Sequence, residues 1–295
     1  MRVGLAGVGK MGSTVAQRLA SLGHQVSVWN RSPARAQPLL DAGLTWADSP
    51  EALARQCEVV ISFLTDEAAL QAVHLGPQGL FAGAVGGTVL IDMSTVPPAC
   101  QQRMGERARQ AGVAYLESPV GGSVGPAKDG KLMAFVGGDE AVLSRVRPLL
   151  DQMCKRVEWV GPHGAGSTMK LAVNLPLMVY WQTLGEALSL VEPLKLDPQR
   201  VIDILSDSSG GPNMLKVRGG MIAQALAGTA GPQVTVDVAT MRKDVRTMLA
   251  QGERHGRHLP LTTQTLQQLD RAAEQGLDAK DCAQLPVWWL AQGGR

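Results

Sequence analysis

Cysteine is scarce and scattered in this chain. Cys57, Cys100, Cys154 and Cys282 stand far apart in 295 residues, with no CxxC pair and no neighbouring histidine cluster. That excludes a disulfide framework and a zinc site, and it fits a reducing compartment; no metal ligand set is expected. No apolar run is long enough to cross a bilayer. The first strand begins at Arg2 with no basic and apolar leader before it, so neither a membrane anchor nor a secretion signal is expected, and the expected location is cytoplasmic. Charge of one sign is also lacking: the formal net charge is +2, and aromatic residues make up 4% of the chain. With no basic patch and no aromatic platform, a nucleic-acid partner is not expected. Internal repeats and low-complexity tracts are absent as well.

What remains is the composition of a globular protein with enough chain for two domains. In the first half, short apolar runs at 26–29, 59–62, 89–92, 113–116 and 132–136 alternate with helix-like stretches such as 13–22 and 98–110. Such alternation implies a mostly parallel sheet covered on both faces. The pattern changes at the glycine-rich loop 161–166. Beyond it the chain reads as helices at 167–191 (interrupted by Pro176), 198–205, 214–226, 236–251 and 261–275. The expected domains are therefore 1–163, α/β, and 164–295, helical.

Gly7-Val8-Gly9-Lys10-Met11-Gly12 is a GxGxxG between the first strand and the first helix. The first glycine permits the tight turn, the second lets a pyrophosphate approach the backbone, and the third lets the helix pack close to the strand. The helix N-terminus then offers unpaired N–H groups and a positive dipole end to phosphate. This context on both sides makes a dinucleotide site the expected reading. An NAD site places a carboxylate at the end of the second strand, for the ribose 2′-hydroxyl. This chain has Asn30-Arg31-Ser32 there. Arg31 brings a cationic fork suited to a 2′-phosphate, with Asn30 and Ser32 as hydrogen-bonding neighbours. NADP(H) is the expected cofactor and NAD(H) the less favoured one.

Three further segments carry chemistry. Asp92-Met93-Ser94-Thr95 ends a strand and precedes Pro97-Pro98. Its hydroxyls stand at the carboxyl edge of the sheet, where open α/β folds bind ligands, although on spacing alone helix capping is the simpler role. The run from Glu117 to Gly130 includes Gly121, Gly122 and Ser123. It reads equally well as a backbone cradle for a carboxylate or as a plain glycine-rich turn. In 161–174, Gly166, Lys170 and Asn174 recur every four residues. They line one helix face, giving an ammonium, an amide one turn later and an uncrowded position one turn earlier. A lysine on an apolar helix face either snorkels or works.

Taken together, these segments resemble the β-hydroxyacid dehydrogenase family, which includes 3-hydroxyisobutyrate dehydrogenase and the glyoxylate/succinic semialdehyde reductases. The resemblance covers essentially the whole chain and adds a fifth motif, Lys243-Asp244. It implies a Rossmann-type doubly wound domain, then an all-helical domain entered through a long helix, with the active site in the cleft between them. It implies Lys170 as the catalytic acid/base and a small carboxylate substrate bound by Ser94, Gly121, Gly122, Ser123, Asn174 and Asp244. The cofactor set is Gly7, Val8, Gly9, Lys10, Met11, Gly12, Asn30, Arg31, Ser32, Leu64, Thr65, Thr95 and Lys243. A homodimer or homotetramer is implied as well. The family commonly has serine where this chain has Gly121, and the reductase branch tends to an aromatic residue where it has Val236. An imine reductase of the same fold and a silent NADP-binding scaffold are the competing readings; Lys170 counts against the first, and Lys170 with Asn174 against the second, which the departures at Gly121 and Val236 keep open.

Overall fold

In the computed structural model, residues 1–292 are described. The strands are β1 (Arg2–Ala6), β2 (Gln25–Trp29), β3 (Thr45–Trp46), β4 (Val59–Ser62), β5 (Val89–Asp92), β6 (Ala114–Glu117), β7 (Val120–Gly121), β8 (Leu132–Gly138) and β9 (Cys154–Gly161). Between them lie α1 (Lys10–Ser21), α2 (Gln37–Asp41), α3 (Pro50–Gln56), α4 (Glu67–Leu75), α5 (Leu80–Gly83), α6 (Pro98–Ala111), α7 (Val124–Asp129) and α8 (Glu140–Leu150). The remainder is helical: α9 (Ala165–Val191), α10 (Pro198–Asp207), α11 (Asn213–Leu226), α12 (Val238–Arg254), α13 (Pro260–Ala272) and α14 (Leu285–Gln292).

The sheet runs β3-β2-β1-β4-β5-β6-β8-β7, with β9 paired to β8. Its first six strands are parallel; β8 lies antiparallel to β6 and β7, and β9 parallel to β8. Alternation along each strand assigns side chains to two layers. Val3, Leu5, Val59, Ile61, Val89 and Ile91 join one buried cluster, while Ala6, Val60 and Leu90 join the other. Strands buried on both faces read as continuous apolar runs, which makes β4 and β5 conspicuous. Helix α1 buries Gly12, Val15, Ala16 and Leu19, the spacing of a single helix stripe.

The order reverses direction between β1 and β4, so the carboxyl ends of these two strands flank the crevice where open α/β sheets bind ligands. Arg18 ties α1 to the far side of the sheet: its guanidinium donates to the Gln152 carbonyl at 2.6 Å and to the Lys128 carbonyl at 2.8 Å.

Two compact units emerge, Met1–Lys170 and Leu171–Arg295, and the division falls inside one helix. Helix α9 is continuous over 27 residues, about 40 Å at 1.5 Å per residue, and passes through Pro176. Proline cannot donate to the Ala172 carbonyl one turn back, but Pro176 and Ala172 both lie on the exposed side of the helix. The second unit packs Trp181, Leu184 and Leu188 of α9 against Leu215, Ile222, Met241, Val245, Met248 and Trp288. Trp288 is core, its indole N–H donating to Gln275 Oε1 at 2.8 Å, while Trp289 is half-buried and donates to Gln182 Oε1 at 3.0 Å. Val236 is also half-buried against this core. Among the described residues, no helix is long and apolar enough to cross a membrane, and no cluster of histidine, cysteine, aspartate or glutamate is arranged to hold a metal.

Candidate active site

The glycine loop follows β1 into α1. Gly7 has φ of +92°, and a methyl there would collide with the Phe63 carbonyl oxygen just past β4. Gly12 faces back onto the loop, where a methyl would collide with the Gly7 carbonyl oxygen. Gly9 differs: a methyl on it would meet no protein atom within 4 Å. Gly9 is also the N-cap of α1 and makes no side-chain cap bond, so the helix presents its first N–H groups bare. A tight turn, an open glycine and an uncapped helix start are the features a dinucleotide pyrophosphate requires. Lys10 is exposed beside them.

Asn30 holds this loop rather than reaching outward. Its Oδ1 accepts the Val8 N–H at 3.2 Å and its Nδ2 donates to the Ser32 carbonyl at 2.9 Å. The amide therefore joins the end of β2 to the loop after β1, and Arg31 is left exposed between them.

Ser94 departs from the expectation of a ligand-facing hydroxyl. It is 3% exposed; its Oγ donates to Asp92 Oδ1 at 2.7 Å and accepts the Leu64 N–H at 2.8 Å. The hydroxyl is committed to the scaffold and fixes the loop of Leu64 and Thr65 beside the glycines. Asp92 is the hub: the same Oδ1 takes the Ser62 hydroxyl at 2.7 Å, and Oδ2 takes the Gln101 amide at 2.6 Å. Gln101 Oε1 accepts the Tyr115 hydroxyl at 2.6 Å. His74 completes the network 3.4 Å from Ser62 Oγ. Burial lowers the pKa of His74 and raises that of Tyr115, so both stay neutral at physiological pH. Thr95, the next residue, is half-buried.

Gly121 lies on β7 and is half-buried. A methyl on it would meet Phe135 and Met133 at 3.6 and 3.7 Å, ordinary contact distances, so close packing does not demand glycine here. Gly122 has φ of +117°, and a side chain there would press on Leu132 at 2.9 Å. Ser123 is the N-cap of α7 without a side-chain cap bond.

The start of α9 is organised by a residue that motif reading passes over. Glu117, the last residue of β6, is fully buried. Its Oε1 accepts the N–H groups of Gly164 and of Gly166, the latter at 3.0 Å. Its Oε2 accepts the Ser167 N–H at 3.2 Å and the Ser167 hydroxyl at 2.7 Å. Gly166 is not the open spot that its spacing suggests: a methyl there would collide with the Phe135 carbonyl oxygen and lie 3.3 Å from the Glu117 carboxyl carbon. It is glycine because the helix begins in contact with the sheet. Three residues past Ser167, Lys170 is 8% exposed, and Asn174 one turn further is half-buried.

Burial pushes the Glu117 carboxyl up to about 7, against the pull of Ser167, Gly164 and Gly166. The folded chain therefore keeps a proton that the unfolded chain loses near 4.5. This group's stabilising contribution is complete below about pH 4.5 and disappears as pH rises to about 7; the shift corresponds to about 3 kcal/mol. Urea denaturation of parent and Glu117→Gln from pH 4.5 to 8 should show the parent losing stability relative to the variant across that window. Parallel curves would contradict it.

In the second unit, α12 carries Lys243 and Asp244. Asp244 shares the buried stripe of Met241, Val245 and Met248, and its Oδ1 pairs with Lys243 Nζ at 3.1 Å. His255 and His258 are exposed.

Sequence comparison accounts for both halves of the chain. The family model described as the NAD binding domain of 6-phosphogluconate dehydrogenase matches residues 2–161. That described as NAD-binding of NADP-dependent 3-hydroxyisobutyrate dehydrogenase matches 164–288. The chain is 34% identical to 3-hydroxyisobutyrate dehydrogenase of Pseudomonas aeruginosa, over 85% of each. It is 29% identical to the chloroplastic glyoxylate/succinic semialdehyde reductase 2 of Arabidopsis thaliana, over 95% of this chain and 76% of that one. A solved structure of Psf3 in complex with NADP+ and 2-OPP superposes with a TM-score of 0.87 at 27% identity, covering 97% of this chain and 99% of that one. With a dinucleotide crevice in the first unit and both family models matched along its length, the chain belongs to the 3-hydroxyisobutyrate dehydrogenase-like family of NAD(P)-dependent hydroxyacid dehydrogenases.

Proposed function

We propose that this chain is an NADP(H)-dependent oxidoreductase that interconverts a small hydroxyacid and its oxo or semialdehyde form, with Lys170 as the acid/base. The observation that carries the reading is a lysine only 8% exposed near the start of α9, with Asn174 on the same helix face one turn on. Lysine is rarely held so far from water, and one that shares a helix face with an amide is placed as a group that meets a substrate oxygen would be. When bound, the nicotinamide cofactor exchanges hydride with the substrate carbon. Lys170 stabilises the negative charge that grows on the carbonyl oxygen and delivers a proton to it; in the opposite direction the neutral amine takes the alcohol proton. Asn174 orients that oxygen without titrating. The backbone at Gly121 and Gly122, with Ser123, holds the substrate carboxylate, and Lys243 and Asp244 belong to the cofactor and substrate sets of the second unit. Relatives named for glyoxylate, succinic semialdehyde and 3-hydroxyisobutyrate support a short acid bearing an aldehyde or alcohol.

The preference for NADP(H) rests on the exposed Arg31 after β2 and on the absence of a carboxylate from Asn30-Arg31-Ser32. Arg31→Ala should weaken NADPH binding by about 10- to 100-fold, the loss of one charge-assisted contact, and leave NADH binding nearly unchanged. Fluorescence titration with both cofactors measures this; equal losses would remove Arg31 from the 2′-phosphate. The activity itself is tested by following NADPH absorbance with glyoxylate, succinic semialdehyde, methylmalonate semialdehyde, tartronate semialdehyde and one cyclic imine. Turnover of an acid supports the reading; turnover of the imine alone replaces it.

A further inference from the structure

The first turn of α9 holds no acidic residue of its own. Its leading N–H groups are met by a carboxylate arriving from a strand 47 to 50 positions earlier in the chain. Helix starts are ordinarily capped by a serine, threonine, asparagine or aspartate directly before them, a cheap device that leaves the cap near water. Here the cap is fully buried, and burying a carboxylate is expensive even when it is well bonded. Two glycines make room for it: Gly166 lets the helix touch β8, and a methyl on Gly137 would strike Glu117 Oε1. The sheet partner registered beside Glu117 is Asp92, the hub of the network that fixes the loop of Leu64 and Thr65.

A rigid anchor at this place has a geometric consequence. Residues three and four apart on a helix are neighbours, with about 5–6 Å between their Cβ atoms, and helical side chains lean toward the N-terminus. Lys170 follows Ser167 by three residues and Gly166 by four, so it leans over the turn that Glu117 grips. Any slip of that turn against β6 and β8 carries the lysine with it, and misplacement of an acid/base by about 1 Å can cost about 100-fold in rate.

We propose that Glu117 is a positioning residue for Lys170: through its bonds to Gly164, Gly166 and Ser167 it fixes the first turn of α9 to the sheet, and so fixes where the lysine stands. The proposal rests on the reading of Lys170 as the acid/base. Glutamine keeps the size of Glu117 but turns one acceptor into a donor facing N–H groups, so it cannot hold the turn. Aspartate keeps both acceptors on a shorter arm.

The test compares the parent, Glu117→Gln, Glu117→Asp, Ser167→Ala and Lys170→Ala at pH 8, above the value of about 7 to which burial raises the carboxyl. NADPH affinity, kcat and thermal midpoint are measured for each. Lys170 is also labelled with pyridoxal phosphate and borohydride and read by mass spectrometry against the other lysines. Glu117→Gln should bind NADPH as the parent does and lose at least tenfold in kcat, with the Lys170 labelling rate changed and other lysines unaffected. Glu117→Asp should recover part of the loss, and Ser167→Ala should show a smaller loss in the same direction. A folded Glu117→Gln with parental kcat and parental Lys170 labelling overturns the proposal, and so does a loss of thermal midpoint alone. If Glu117→Gln does not fold, parental behaviour of Ser167→Ala in both readouts overturns it. Should Lys170→Ala keep its turnover, the acid/base reading fails and takes the proposal with it; an inactive Lys170→Ala beside parental Glu117→Gln and Ser167→Ala removes only the role of Glu117. The labelling needs no substrate, so it decides the point even where no tested carbonyl acid is reduced.

Discussion

Lys170→Ala should lower kcat by about 10²–10⁴-fold, the range lost when a positioned acid/base is removed, with NADPH affinity left close to that of the parent. The split is the informative part. The glycine loop, Asn30 and the Leu64 loop lie at the ends of β1, β2 and β4 and at the start of α1, and truncating a side chain on α9 alters none of these. A lysine that merely snorkels would give the opposite result, a modest loss of stability with turnover intact. Lys170→Arg sharpens the distinction. Arginine keeps a cation in place and can still stabilise charge on an oxygen, but it does not give up its proton at any accessible pH. The arginine variant should therefore stay impaired, most severely in alcohol oxidation, where a neutral base is needed. Recovery of parental turnover in Lys170→Arg would mean that charge alone suffices, and proton transfer would have to be assigned elsewhere. Steady-state kinetics in both directions, with cofactor titration of each variant, measure the outcome.

How far the fold was legible follows from what each strand had to bury. β4 and β5 are covered on both faces and announce themselves as apolar runs. β9 did not: only Cys154 and Val157 are buried, and Lys155, Arg156 and Glu158 break up the apolar pattern, because it lies off the main strand path, paired to β8 alone, and charged residues are how exposed strands avoid unwanted pairing. β7 is two residues in a glycine-rich run, where local composition argues for a turn and only its partner β8 makes it a strand. Pro176 reads as a break in α9, yet the helix passes through it because the residues involved face outward.

The site divided along similar lines. Backbone-driven features were readable, since only glycine serves where φ is positive or where backbone meets backbone, as at Gly7 and Gly12. Side-chain commitments were not. Ser94 shows a hydroxyl at the right edge of the sheet, but nothing in its spacing reveals that Asp92 and the Leu64 N–H consume it. Glu117 and Asp92 carried a signal that motif reading left unused: each is a carboxylate closing a strand whose other residues are largely buried and apolar. A charge there must be satisfied by protein, so it marks a junction that the fold is built to hold.

The glycine loop gives the second large effect, because two substitutions of identical size should fail in different ways. Gly12→Ala places a methyl against the Gly7 carbonyl oxygen, a backbone atom that cannot step aside like the tip of a flexible side chain. Relief requires α1 to lift from β1, where Gly12 lies in the buried stripe with Val15, Ala16 and Leu19. Overpacking of this kind costs about 3 kcal/mol or more, and a lifted helix no longer aims its N–H groups at phosphate, so NADPH binding should fall at least about 100-fold. Gly9→Ala has no protein atom to strike. Its stability should stay within about 0.5 kcal/mol of the parent, yet its methyl projects into the space that a pyrophosphate must enter to reach the backbone, and NADPH binding should weaken by a comparable factor. Urea denaturation and NADPH titration of both variants separate a glycine kept for folding from one kept for the ligand. A Gly9→Ala protein that binds NADPH like the parent would move the pyrophosphate away from this loop, whatever became of Gly12→Ala.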